Sequence, residues 1–275
     1  MRKILSDYDG IWIDTEIAKA ARWYFAAMYV RGDDPEINKE LIQGISCRKN
    51  EARHKVQELV RERKQDIERT KKHAGGTRLD FAMRVWDEFL QETKREANEE
   101  RVREELFPPA EMIREVLIDW LSKPIIENLR FFQKLRDEMS AVYWDDHPFG
   151  LVTQTESEAL FKQFHLRRED GSSLWGEFVG LLSALGPYVQ GRGFLFAECA
   201  GDHPKKSLYP PKGGEKVLAY RILCARLGVR PEETLTFEDT RDGVQAAIEA
   251  GIVCIGVKAS GSTQDPTFRT LQLSK

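Results

Sequence analysis

The chain has 275 residues, with 41% hydrophobic and 32% charged residues and a formal net charge of -3. That length supports one large domain or two moderate ones, each with its own core. The slightly acidic balance excludes a nucleic-acid partner held by bulk electrostatics. Acidic residues arrive at Asp7, before any long apolar run, so no signal peptide is expected. No run of about 18 apolar residues predicts a membrane span. The four cysteines, Cys47, Cys199, Cys224 and Cys254, are scattered. Their spacing suits free thiols in a reducing cytoplasm rather than disulfides or zinc.

The first predicted element is a short strand over Ile4 to Ser6. It runs into Asp7, Asp9 and Gly10. Two carboxylates at a strand tip repel each other unless a cation sits between them, which suggests a Mg²⁺ site. An acidic turn after an edge strand is the plainer alternative.

From Glu16 to Ser122 the chain is rich in Glu, Lys and Arg and in helix formers. Apolar residues recur at helical spacing, at Trp23, Ala26, Ala27 and Val30, then Val56, Leu59 and Val60, then Phe81, Val85, Phe89 and Leu90. Turn signals at Gly32 to Pro35, Gly75-Gly76 and Pro108-Pro109 separate these runs. The pattern predicts an all-helical unit of four or five helices over residues 16–124. Its charge runs, such as Arg61 to Lys64, read as exposed helix faces.

The rest alternates strands with helices. Apolar runs at 149–153, 194–198, 235–237 and 252–257 predict four more strands, with helices over Lys216 to Leu227 and Asp242 to Ala250. Gly228 and Gly251 stand where helix-ending glycines are expected. This alternation predicts an α/β fold class: a Rossmann-like three-layer core with a mainly parallel sheet of about five or more strands, over residues 1–15 and 125–275. The all-helical unit is inserted after the first strand. Ligands bind such sheets at the carboxyl ends of the strands, where Asp7, Thr153 and Glu238-Asp239 all fall. An insertion at that edge is placed to act as a lid.

These residues resemble the haloacid dehalogenase superfamily, in the subgroup with a helical cap inserted after the first strand. Asp7-Tyr-Asp-Gly-Ile-Trp-Ile-Asp-Thr-Glu16 resembles its opening motif D-x-D-G-T-L-x-D-T-E. Leu151-Val-Thr-Gln-Thr-Glu156 is similar to the second motif, a strand ending in Ser or Thr. Phe237-Glu-Asp-Thr-Arg-Asp-Gly-Val-Gln-Ala-Ala-Ile-Glu-Ala-Gly251 is close to the fourth motif F-E-D-S-x-x-G-V-x-A-A-x-x-A-G.

The resemblance implies a Mg²⁺-dependent phosphatase acting on a small phosphorylated metabolite. Asp7 would be the nucleophile, Asp9 the general acid and base, and Thr153 a donor to the phosphoryl oxygens. Asp7, the backbone carbonyl of Asp9, and Asp239 with Glu238 would hold the metal. Gly10 and Gln154 would line the phosphate pocket. The third motif departs from the family. Ser207-Leu-Tyr-Pro-Pro-Lys-Gly-Gly-Glu-Lys216 puts Gly214 where the K-P-x-P lysine should be. Lys216, in a spacing like that of the phosphoserine phosphatase branch, is favoured over Lys212, with Lys205 and Lys206 behind. Ile11 and Tyr8 replace the usual threonine and phenylalanine, and residues 166–211 are longer than the subgroup carries.

The segment Leu41 to Asn50 resembles the cap loop that selects substrate, where Arg48 and Lys49 would grip a second anionic group or would simply be solvated. The five histidines show no metal-ligand spacing. A phosphomutase of the β-phosphoglucomutase kind shares these motifs. A catalytically weak binding protein is the third reading. The expected setting is cytoplasmic, as a monomer or homodimer, with no nucleic-acid or membrane partner.

Overall fold

The computed structural model describes residues 3–73, 78–91, 98–128, 130–131, 149–153, 171–172, 196–199 and 214–257. The chain divides into two compact units, one of residues 1–14, 123–164 and 175–275, the other of residues 15–122 and 165–174.

The first unit is α/β. Its strands are β1 (Lys3–Ser6), β2 (Ile13–Asp14), β3 (Lys123–Pro124), β4 (Phe149–Thr153), β5 (Phe196–Cys199), β6 (Thr234–Glu238) and β7 (Val253–Gly256). Five of them form a sheet in the order β5-β4-β1-β6-β7, with every pairing parallel. Of the strand expected over 194–198, the described part runs Phe196–Cys199, and the run at 235–237 extends to Thr234–Glu238. Every residue of β6 is buried, as a central parallel strand requires when both faces are covered.

Two helices of this unit, residues Gly214–Arg226 and Arg241–Ala250, pack on each other and on the sheet. Leu5, Val152, Val217, Tyr220, Leu223, Ala246, Ala247 and Ile252 share their core. Full burial of each larger aliphatic side chain there contributes about 1.5–3 kcal/mol. The second helix ends at Gly251, whose φ of 87° is a left-handed cap.

β2 and β3 form a separate antiparallel ribbon, pairing Ile13 with Pro124 and Asp14 with Lys123. The chain leaves this unit along one strand of the ribbon and returns along the other.

The second unit is helical. It contains α1 (Glu16–Arg31), α2 (Lys39–Ser46), α3 (Asn50–Glu62), α4 (Lys64–Lys71), α5 (Arg78–Leu90), α6 (Glu99–Arg101), a π-helical turn at Val102–Leu106, and α7 (Phe107–Leu121). The two helices of the α/β unit follow as α8 (Gly214–Arg226) and α9 (Arg241–Ala250). α1 packs against α7, α4 and α5 and is buried on most of its surface, with Trp23 and Phe25 fully enclosed. Its alanines let these neighbours approach closely, while Trp23 meets Phe107 edge-on at 5.2 Å.

The expected turn at Pro108-Pro109 is not there. Both prolines lie in the first turn of α7, which runs straight on from the π-helical turn. In that wider turn the Phe107 N–H reaches back to the Val102 carbonyl. The extra room accommodates rings that cannot donate a backbone hydrogen bond. The expectation of four or five helices was low for the opposite reason, since α3 and α4 break at Arg63 without a Gly or Pro signal.

Candidate active site at the carboxyl end of the sheet

The site begins where β1 stops. The Asp7 N–H donates to the Phe237 carbonyl at 3.0 Å, carrying the parallel ladder one residue past the strand. The chain then folds back on itself. Gly10 N–H donates to the Ile13 carbonyl at 2.9 Å, and Trp12 N–H to the Tyr8 carbonyl at 3.1 Å. Trp12 Nε1 donates to Ser6 Oγ at 2.8 Å, and Asn128 Nδ2 to the Ile11 carbonyl at 2.7 Å. Tyr8 and Ile11, the two departures from the opening motif, are core residues here, 1% and 0% exposed.

Asp7 is 6% exposed and held at both oxygens. Its Oδ1 accepts from the Tyr8 N–H at 2.8 Å, and its Oδ2 from Lys216 Nζ at 2.9 Å. Gly10 has φ +76°, and a Cβ there would fall 1.8 Å from Asp239 Oδ2. Only a glycine therefore lets the loop after β1 close onto the carboxylate that follows β6. One ligand oxygen from each of Asp7, Glu238 and Asp239 lies within 4.8 Å of the others. Hard oxygen donors at this spacing suit a small divalent cation.

Glu238 is fully buried, and its carboxylate is already engaged. Lys216 Nζ lies 2.8 Å from its Oε1 and 3.0 Å from its Oε2, and the Tyr220 hydroxyl donates to Oε1. Gly243, in the first turn of α9, lies so close that a Cβ there would be 2.0 Å from Glu238 Oε2. Burial pushes the Glu238 carboxyl up; Lys216 pulls it down and Asp7 pushes it up again. Burial also opposes the charge on Lys216, but Asp7 and Glu238 outweigh it and hold the ammonium well above the ordinary lysine value.

Thr153 is fully buried at the end of β4, two residues beyond the register partner of Ser6. Asp9 is half-buried in the loop, where its backbone bridges to Ile13, and its carboxylate is outside the acidic group. Arg48 and Lys49 are exposed in the turn between α2 and α3 of the helical unit, Arg48 with φ 59°. Gln154, Lys205, Lys206, Lys212, His147, His165, His203 and most of residues 166–211 lie outside the described residues. Sequence reasoning passed over two residues, Asn128 and Tyr220. Nothing local marks Asn128. Tyr220 could have been found, because it is four residues after Lys216 on the same helical face.

No protein-family model and no curated protein sequence matches the chain. Solved structures do. A haloacid dehalogenase-like protein of unknown function from Agrobacterium tumefaciens aligns at 17% identity and TM-score 0.50, over 96% of this chain and 85% of that one. A hydrolase of the same family from Deinococcus radiodurans, with bound phosphate and sodium, aligns at 14% identity and TM-score 0.49, over 96% and 83%. A family IA, variant 3 hydrolase from Entamoeba histolytica aligns at 15% identity and TM-score 0.48, over 98% and 92%. With a parallel sheet ordered β5-β4-β1-β6-β7 and a helical insertion after β1, the chain has the haloacid dehalogenase-like fold.

Proposed function

We propose that the chain is a Mg²⁺-dependent phosphatase that hydrolyses a small phosphorylated metabolite through an aspartyl-phosphate on Asp7. One observation carries the reading: a buried lysine grips one oxygen of Asp7 at 2.9 Å, while the Asp239 carboxylate sits against the Gly10 backbone beside it. In this reading Asp7 is the nucleophile, Lys216 its cation and Asp239 a hard ligand, gathered at the carboxyl ends of β1 and β6.

In this reading Asp7 attacks phosphorus in line, and the bond to the leaving oxygen breaks. Asp9 gives that oxygen its proton. Asp9 then takes a proton from a water molecule, which attacks the phosphoryl group and releases inorganic phosphate with Asp7 restored. Thr153 donates to the phosphoryl oxygens. Lys216 offsets the charge that builds up beside Asp7. Three carboxylates facing one ammonium leave the site too negative for a phosphate dianion, so a divalent cation fits. Asp7 and Asp239 would hold Mg²⁺, with the Asp9 carbonyl as a further ligand, while both Glu238 oxygens stay with Lys216 and Tyr220; when bound it neutralises phosphoryl-oxygen charge. Arg48 and Lys49 are assigned to a second anionic group of the substrate.

The test is hydrolysis of p-nitrophenyl phosphate with Mg²⁺. Asp7→Asn should lower kcat by at least about a thousandfold, as loss of a nucleophile does, with an unchanged far-ultraviolet circular dichroism spectrum. Normal turnover by that variant would end the reading. With a sugar 1-phosphate the expected product is free phosphate; an isomeric sugar phosphate would assign a mutase instead.

A further inference from the structure

The lysine on Asp7 comes from inside a helix. Lys216 is the third residue of α8, so its backbone is fixed by the helix and only its side chain is free to move. A side chain with four rotatable carbon–carbon bonds is a poor means of fixing a charge, and a buried one needs partners that do not move. Two carboxylates receive it. Asp7 is anchored by the Tyr8 N–H. Glu238 is anchored by Tyr220.

The Tyr220 hydroxyl donates to Glu238 Oε1, and it lies 3.1 Å from Thr236 Oγ1. The phenol has one proton. With that proton committed to Glu238, the Thr236 hydroxyl is the donor to the phenol oxygen. Every group in this chain is closed off: Tyr220, Thr236 and Glu238 are each 0% exposed, and Lys216 is 2% exposed. No solvent can readily replace a lost partner there. The result is one continuous set of hydrogen bonds: Thr236 donates to Tyr220 and Tyr220 to Glu238, while Lys216 donates to both Glu238 and Asp7. Lys216 and Tyr220 are one helical turn apart, so α8 presents both to the same carboxylate from one face.

We propose that Tyr220 is a positioning residue for the reaction: it locks the Glu238 carboxylate, and through it fixes where Lys216 holds the Asp7 oxygen. It touches neither Asp7 nor Asp239, and it acts on the chemistry only through Lys216. The proposal rests on the phosphatase reading above. It goes beyond it by explaining how a lysine set two residues away from the family's third-motif position is held in place.

The test is Tyr220→Phe, which keeps the ring and removes the hydroxyl. With p-nitrophenyl phosphate and Mg²⁺, kcat should fall about tenfold, the scale on which outer-sphere partners act. KM should stay within about twofold, because the loss is of alignment rather than of substrate contact. Affinity for beryllofluoride, which occupies the phosphoryl position on Asp7, should fall in step with kcat. Mg²⁺ affinity measured by calorimetry should not change. If Tyr220→Phe proves too unstable to assay, Thr236→Val removes the donor to the phenol oxygen and should give a smaller loss of the same kind. Equal kcat and equal beryllofluoride affinity in wild type and Tyr220→Phe would overturn the role of Tyr220 and leave the phosphatase reading standing. A loss of thermal stability with unchanged kcat and beryllofluoride affinity would mark Tyr220 as a packing residue only. A wild-type protein that neither hydrolyses phosphate esters nor binds beryllofluoride would overturn both.

Discussion

Arg22 carries a charge that its surroundings do little to offset. It sits in the helical unit at 7% exposure, over the face of Trp23 at 4.6 Å. Its nearest ionic contact is Glu111 at 3.8 Å, and Arg78 and Arg114 also approach that carboxylate. Among the described residues its Nε has no hydrogen-bond partner. Burial, and then the charges of Arg78 and Arg114, push its guanidinium well below the ordinary arginine value, with Glu115 opposing. Replacing a poorly paired buried charge with an apolar side chain of similar length is often stabilising. Arg22→Met should therefore raise stability by about 1 kcal/mol, read as a shift in the urea midpoint with an unchanged slope. A loss of stability would show that the ring contact and Glu111 hold more than the charge costs.

At the level of elements, the site depends on how closely α8 approaches β4. Gly150 sets that distance: a Cβ there would lie 2.7 Å from both Leu223 and Leu5. Gly150→Ala should cost about 1–3 kcal/mol by overpacking. It should also lower phosphatase kcat, since α8 carries Lys216 and Tyr220; stability and turnover measured on one preparation check both. The strands were legible because three of them, β1, β4 and β6, are short runs ending in a polar residue, Ser6, Thr153 and Glu238, and parallel packing forces those ends to one edge. That is why Asp7 and Asp239, 232 residues apart, meet. What could not be read was set by packing. Pro108-Pro109 marks a turn by its composition, yet the π-helical turn before it lets the helix continue. The spacing puts Tyr220 on the face of Lys216, but only packing places Glu238 opposite its hydroxyl.

For the molecule as a whole, each unit has its own core, one built around Trp23, Trp86 and Leu117 and the other around Leu5, Tyr220 and Leu223. Among the described residues no helix is long and apolar enough to cross a membrane. The proposed metal group belongs entirely to the α/β unit. Mg²⁺ at about a hundred times its dissociation constant should therefore stabilise the protein by about 2.7 kcal/mol, by mass action. Calorimetry against a chelator-treated sample checks this. The rise in melting temperature should disappear in Asp239→Asn. An equal rise in that variant would place the ion elsewhere.

The small ribbon of Ile13–Asp14 and Lys123–Pro124 has a consequence for how such a protein can change. The two cut points of the insertion, Asp14 and Lys123, are paired on one rung of an antiparallel ladder, so the 108 residues between them are a cassette with matched ends. A two-residue turn could close the same ladder in their place. Helices could be gained, lost or exchanged at that seam while the register of β1, and with it the carboxyl edge of the sheet, stays as it is.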